Sequence, residues 1–233
     1  MQIIIDRKMP EKAKGSLKSF GNLIELETSG ITYDAISGHP DIFFFKTSSR
    51  LIAAPNLPPE YLKILHEKGI NYLLGSSPVG MKYPDSARYN AVSNGKYLIH
   101  RSDITDKEIL AHSKEKEILN VSQGYCRCSL LPLESNSFVT SDEGICKSLK
   151  AKGLNVLLVS SADVLLPGFS RGFFGGTCGV WNGKVFIAGS LKYHKEETEI
   201  KAFLKSHGYG TVELYDGPLF DCGSILFLDE ENP

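Results

Sequence analysis

The sequence predicts a closed α/β propeller, in which five ββαβ units surround a pseudo-fivefold axis and the N- and C-terminal strands pair to complete the ring. Three observations carry this. A strand, a second strand, a helix and a closing strand return about every 40 to 50 residues. The closing strands are near-copies: Gly69-Ile-Asn-Tyr-Leu-Leu-Gly-Ser-Ser77 matches Gly153-Leu-Asn-Val-Leu-Leu-Val-Ser-Ser161 in composition and spacing. Finally, one unit is split, its first strand near the end of the chain and the remainder at the start.

Taken in order, the chain opens on the apolar run 1–5, a middle strand, followed by a helix over 10–20 and a closing strand over 22–26. These belong with a first strand over 221–228, so the fifth unit is 219–233 joined with 1–29. The remaining units are 39–77, 83–122, 125–161 and 173–215. Their middle strands read Arg50-Leu-Ile-Ala, Lys96-Tyr-Leu-Ile, Ser137-Phe-Val-Thr and Lys184-Val-Phe-Ile. Helices are expected over 59–68, 106–116, 142–152 and 194–207, where apolar residues fall at helical spacing, as Tyr61, Leu62 and Leu65 do. Gly69, Gly153 and Gly208 supply stop signals. Asn94-Gly95 and Asn182-Gly183 lie between apolar runs and predict hairpins. A ring in which neither half buries its own core predicts one domain over 1–233.

Composition narrows the class. The 233 residues are 42% hydrophobic and 23% charged, with a formal net charge of −1 and no basic run, which argues against nucleic acid as a partner. No apolar stretch is long enough to span a membrane and no secretory leader is recognisable, so no membrane partner is expected. Five cysteines without a disulfide-like framework fit a reducing cytoplasm.

The repeat also predicts where a site lies. Aligning the units on their Asn-Gly turns superposes Asn90 on Cys178, and Cys178-Gly179 matches Cys222-Gly223. Cys128 is the counterpart in the third unit. His39-Pro-Asp41 and Tyr83-Pro-Asp85 correspond to each other, and Asp221 precedes Cys222. All are expected at the inner strands, converging on the axis. Cys126 and Cys128 would share one face of a strand. His66, His100, His112 and His207 read as solvated, and His194 as a capping or surface residue.

With this pattern in view, the chain resembles the pentein fold of guanidino-group-modifying enzymes: arginine and agmatine deiminases, dimethylarginine hydrolases and amidinotransferases. The resemblance rests on the five units and on Cys222 in Phe220-Asp-Cys-Gly-Ser, which matches the place of the nucleophilic Cys. It implies a hydrolase or amidinotransferase acting on a small guanidine or amidine in a central pocket. Cys222 would be the nucleophile and His39 the proton carrier. Asp41 and Asp85 would hold the cation, with Asn90 orienting and Asp221, Cys128 and Cys178 as further substrate-binding residues. Carboxylates fix a planar guanidinium by paired hydrogen bonds while a thiolate attacks its carbon. Such chemistry needs no cofactor. The fourth unit carries Gly175-Gly-Thr-Cys-Gly179 where the enzymes carry a catalytic His, so His39 would serve from the first unit.

Two other readings stand beside it. Some proteins of this fold bind a partner or ligand without catalysis, and the absent fourth-unit His suits that class. Alternatively, Cys128, Cys178 and Cys222 could form a thiolate metal site.

Overall fold

The computed structural model describes residues 1–47, 50–134 and 136–228. Strand β1 (Gln2–Asp6) runs parallel to β2 (Asn22–Leu26) across the helix Glu11–Leu17. The same three-stranded plan follows four times. β3 (Phe44–Lys46), β4 (Leu51–Ala53) and β5 (Tyr72–Leu74) form the next sheet, and β6 (Val92–Ser93), β7 (Tyr97–His100) and β8 (Glu117–Asn120) the one after. β9 (Leu130–Pro132), β10 (Ser137–Thr140) and β11 (Asn155–Leu158) make the third repeat. A short strand β12 (Val164–Leu165) precedes the fourth, built from β13 (Cys178–Trp181), β14 (Lys184–Ile187) and β15 (Gly210–Glu213). β16 (Leu219–Phe220) pairs in parallel with β12, and the last strand, β17 (Leu226–Leu228), completes the sheet of β1 and β2.

In every repeat the first strand is antiparallel to the middle one, and the middle strand is parallel to the third across a helix. Antiparallel neighbours need only a turn, whereas parallel neighbours need a crossover, and the helix supplies it. The fifth sheet is assembled from both ends of the chain as expected: Gln2 pairs with Leu228, Ile3 with Phe227 and Ile4 with Leu226.

The middle strands are the most buried elements. Ile3, Ile4 and Ile5 are fully buried, as are Ile52, Ile99, Val139 and Ile187. Apolar runs covered on both faces are what a central strand requires. At the hairpin between β13 and β14, Asn182 and Gly183 take φ values of 49° and 67°, the left-handed pair that a tight two-residue turn demands.

Several local expectations change. The second-unit helix is only Lys107–Ala111, because the chain turns after His112 through Lys116 N to Ser113 O (3.0 Å). Asp106 caps it, accepting from Glu108 N, and its carboxylate also takes Ser76 N and Ser77 N. Tyr89 Oη donates to the same carboxylate at 3.3 Å. The fourth-unit helix begins at Glu197. His194 lies before its N-cap residue Glu196 and is buried, neither on the surface nor capping the helix: Nδ1 accepts from Glu196 N at 3.2 Å and Nε2 faces the Ser160 carbonyl at 2.9 Å. His100 is buried rather than solvated. Its ring nitrogens meet Thr105 Oγ1 and the Gly124 carbonyl, and burial pushes its pKa down to about 4.

Candidate functional site at the axis

The residues expected on inner strands sit just before them, in turns. His39 precedes the helical turn Pro40–Phe43, with Pro40 in the first helical position, where its fixed φ and missing N–H are harmless. Asp41 is on that turn, three residues before β3. Cys128 lies on a second turn, Cys126–Ser129, two residues before β9. Asn90 lies two residues before β6 and Cys222 four before β17; only Cys178 is itself on an inner strand. Helical geometry also separates Cys126 from Cys128, contrary to the strand expectation. Cys126 Sγ donates to the Gln123 carbonyl within an apolar cluster, while Cys128 points to the axis.

At the centre is a connected polar network. Asn90 uses its whole amide: Nδ2 donates to the Asp41 carbonyl (3.1 Å) and to Cys128 Sγ (3.2 Å), and Oδ1 accepts from Arg127 N and Cys128 N. Asp41 Oδ2 accepts from Ser224 Oγ at 2.6 Å and from Cys128 Sγ at 3.1 Å. Its Oδ1 is buried and has no hydrogen-bond partner, and the same is true of His39 Nδ1. Asp6 Oδ2 faces His39 Nε2 at 3.7 Å. That is too long for a hydrogen bond, and His39 is neutral, its pKa lowered to about 3 by burial and then by Lys8. Asp221 accepts from Phe173 N and Gly223 N.

Burial dominates the electrostatics. It lifts Asp6 to about 6 and Asp221 to about 7, with Asp41 raising both further, and it raises Asp41 itself. Carboxyls that crowd one water-poor site resist ionising together. Cys222 and Cys128 are held well above the ordinary thiol range, by burial first and by neighbouring aspartates second.

Two cavities end on this network from opposite sides. One, of about 220 Å³, is lined by Asp6, Lys8, Asp34, His39 and Asp221, with Phe220 among its apolar walls. The other, of about 340 Å³, is lined by Asp41, Ser224, Arg127, Lys46, Lys116 and Phe45, among others.

Three expected site residues stand outside the network. Asp85 is exposed and ion-paired with Arg88, because it takes the outer position of a turn whose other two residues, Ser86 and Ala87, are buried. Cys178 Sγ shares a hydrogen bond with Thr177 Oγ1 inside the apolar cluster of Leu131, Val139 and Phe174, its pKa pushed up to about 11. Cys222 Sγ is fully buried among Ile3, Ile5 and Phe186, 3.4 Å from the Gly176 carbonyl. Its sulfur is therefore turned away from the cavity that Asp221 lines. The three thiols do not converge, so the all-cysteine metal centre is not formed.

Three residues were missed. Asp6 could have been found as a carboxylate closing a fully apolar strand. Ser224 had only its place after Gly223 to signal it. Arg127, whose guanidinium donates to the Gly175 and Cys178 carbonyls at 2.8 Å, reads a different repeat and left no local signal.

Residues 4–226 match a sequence family of unknown function, DUF6873. The chain is a DUF6873 protein. No curated protein matches it. Solved structures do. The amidinotransferase SxtG from Microseira wollei, of the saxitoxin biosynthetic pathway, is similar over 100% of the DUF6873 chain and 95% of its own, at 12% identity and a TM-score of 0.54. DDAH from Pseudomonas aeruginosa, a Cys-to-Ser mutant complexed with citrulline, covers 91% of each chain at 11% identity and 0.53. Agmatine deiminase from C. jejuni covers 91% of this chain and 87% of its own, at 11% and 0.54. At these identities the likeness establishes the fold: the DUF6873 chain is a pentein-type five-bladed propeller. Among the described residues, no helix is long and apolar enough to cross a membrane.

Proposed function

We propose that this DUF6873 protein binds a small guanidinium or amidinium compound in the 220 Å³ axial cavity, with Asp6 and Asp221 as the cation holders. One observation carries the reading. Two buried carboxyls lifted to about 6 and 7 line the same cavity as a neutral imidazole, and Lys8, the cation among its lining residues, is engaged by the Asp34 carbonyl and Ser37 Oγ. A planar cation would restore both carboxylates through paired hydrogen bonds, and Phe220 and Leu166 would cover its apolar part. The DDAH structure of this fold holds citrulline, whose ureido group shares the planar shape of a guanidinium without its charge. The five thiols are all free, in keeping with a reducing cytoplasm.

The pH dependence follows from the raised pKa values. Binding favours the ionised carboxylates, so cation affinity is weak below about pH 6, where the empty site holds both protons, and strengthens as pH rises through 7. Calorimetric titration of chelator-treated protein with a panel of alkylguanidines and alkylamidines should give an affinity at pH 8 at least about tenfold above that at pH 5.5. Asp221→Asn should lose most of the binding and flatten the profile. Affinity that is independent of pH, or that falls as pH rises, would remove the proposal.

Catalysis at Cys222 is the second reading, favoured by its place directly after Asp221 and by the contact of Gly223 with His39. His39 would take the Cys222 thiol proton as the sulfur adds to the guanidinium carbon and pass it to the departing amine, and water or an amine acceptor would then release the thiol. This requires Cys222 to rotate out of its apolar seat. The check is covalent: a chloroacetamidine cation should label Cys222 faster than a neutral haloacetamide of the same size, and a competing alkylguanidine should suppress it. Equal, unsuppressed labelling of Cys126, Cys128 and Cys222 would leave binding alone.

A further inference from the structure

The polar cluster between the two cavities has the composition of a metal centre. A ring nitrogen of His39, a carboxylate oxygen of Asp41 and Sγ of Cys128 all lie within 4.8 Å of one another, and all three residues are buried. This is not the three-cysteine set considered from the sequence; it draws one donor each from imidazole, carboxylate and thiol. A second observation is independent of that proximity. His39, 1% exposed, and Asp41, 5% exposed, each keep a buried polar atom, Nδ1 and Oδ1, without a hydrogen-bond partner. Leaving one such atom unsatisfied costs about 1–3 kcal/mol, and two at the start of one turn call for a common partner.

We propose that His39, Asp41 and Cys128 bind a divalent ion of zinc-like character. Imidazole, carboxylate and thiolate are the donors zinc takes, and three protein ligands with an open fourth position are a familiar zinc arrangement. Charge supports it: a dication with the Asp41 carboxylate and the Cys128 thiolate is neutral in a site that cannot stabilise net charge. On binding, Cys128 loses its thiol proton to solvent and its hydrogen bond to Asp41 Oδ2 is replaced by ligation. Ligation through His39 Nδ1 leaves Nε2–H directed at Asp6, the outer carboxylate that commonly orients a ligating imidazole. Asn90 and Ser224 hold Cys128 and Asp41 in the same way. The donors are looser than in a filled tetrahedral site, where bond lengths of about 2.0–2.3 Å set separations well under 4.8 Å. Asp41 Oδ2 and Cys128 Sγ already stand 3.1 Å apart, so the set closes on an ion chiefly through the His39 ring. The ion can enter from either cavity, since His39 lines one and Asp41 the other.

The proposal does not depend on guanidine binding, and its test uses metals alone. Chelator-treated full-length protein titrated with Co²⁺ should take up one equivalent and develop thiolate-to-cobalt charge-transfer absorption, which Zn²⁺ then abolishes. Cys128→Ser should lose that band, and Asp41→Asn and His39→Gln should each weaken binding more than about tenfold. Cys178→Ser should leave band and stoichiometry unchanged. X-ray absorption of the zinc-loaded wild-type protein needs no variant and should show one sulfur at about 2.3 Å beside nitrogen and oxygen scatterers at about 2.0 Å. No stoichiometric uptake, a shell without sulfur, or a shell with two or more sulfurs would overturn the assignment.

Discussion

Deleting residues 1–8 is expected to leave a chain with no cooperative unfolding transition. β1 is hydrogen-bonded on both sides, antiparallel to β17 and parallel to β2, so its loss strands two further strands with unpaired backbone groups. It also removes Ile3, Ile4 and Ile5, each fully buried. At about 1.5–3 kcal/mol per aliphatic side chain, these three approach the 5–15 kcal/mol that holds a whole domain folded. The milder change Ile4→Ala should keep the fold and cost about 2–5 kcal/mol. Circular dichroism melts of the three proteins settle it. A truncated chain that melts cooperatively within a few degrees of the full one would show that the ring does not behave as one unit.

The second large effect is expected from Gly223→Ala. Gly223 has φ of 63°, and a β-carbon there would lie 2.1 Å from His39 Cβ and 2.6 Å from His39 Cα. Neither atom is the end of a flexible side chain, so backbone must move. Left-handed backbone costs an alanine about 1–2 kcal/mol and overpacking about 1–3 kcal/mol, giving about 2–5 kcal/mol together. Gly183→Ala separates the two terms. Its φ is 67° but nothing lies within 4 Å of the added carbon, so only the backbone cost remains. Urea unfolding should therefore rank Gly223→Ala well below Gly183→Ala in stability, and only the former should disturb ligand or metal binding at His39. Equal losses at the two glycines would mean that the contact with His39 yields freely.

The propeller was legible because the units repeat one order of elements, with middle strands rich in buried apolar residues, glycine stops after the helices at Gly69, Gly153 and Gly208, and near-identical closing strands in two of them. Those cues are local, and local chemistry decides such elements. The axis was legible only in outline. Repeat alignment placed His39, Asp41, Asn90 and Cys128 near one another, but treated turns as strand starts, although Pro40 after His39 already favours a first helical position. The direction of Cys222 could have been anticipated. It neighbours Asp221 in an extended segment, and successive side chains there point to opposite sides; Asp221 faces the cavity and Cys222 the core. Arg127 was beyond reach, since the carbonyls it holds belong to a segment 48 and 51 residues away.

The clasp between Gln2 and Leu228 has a further consequence for how the chain could be cut and rejoined. In the other four blades the first two strands are consecutive, and here the equivalent pair is β17 and β1. An ordinary hairpin connection of two to five residues would suffice to link such a pair. Joining the ends would make the fifth blade continuous like its neighbours, and a new break could then fall in any exposed turn, such as the Asn182-Gly183 turn. The place where this ring opens is thus a matter of connectivity, and the axial residues, held by side-chain contacts across blades, would come to the same centre from any starting point.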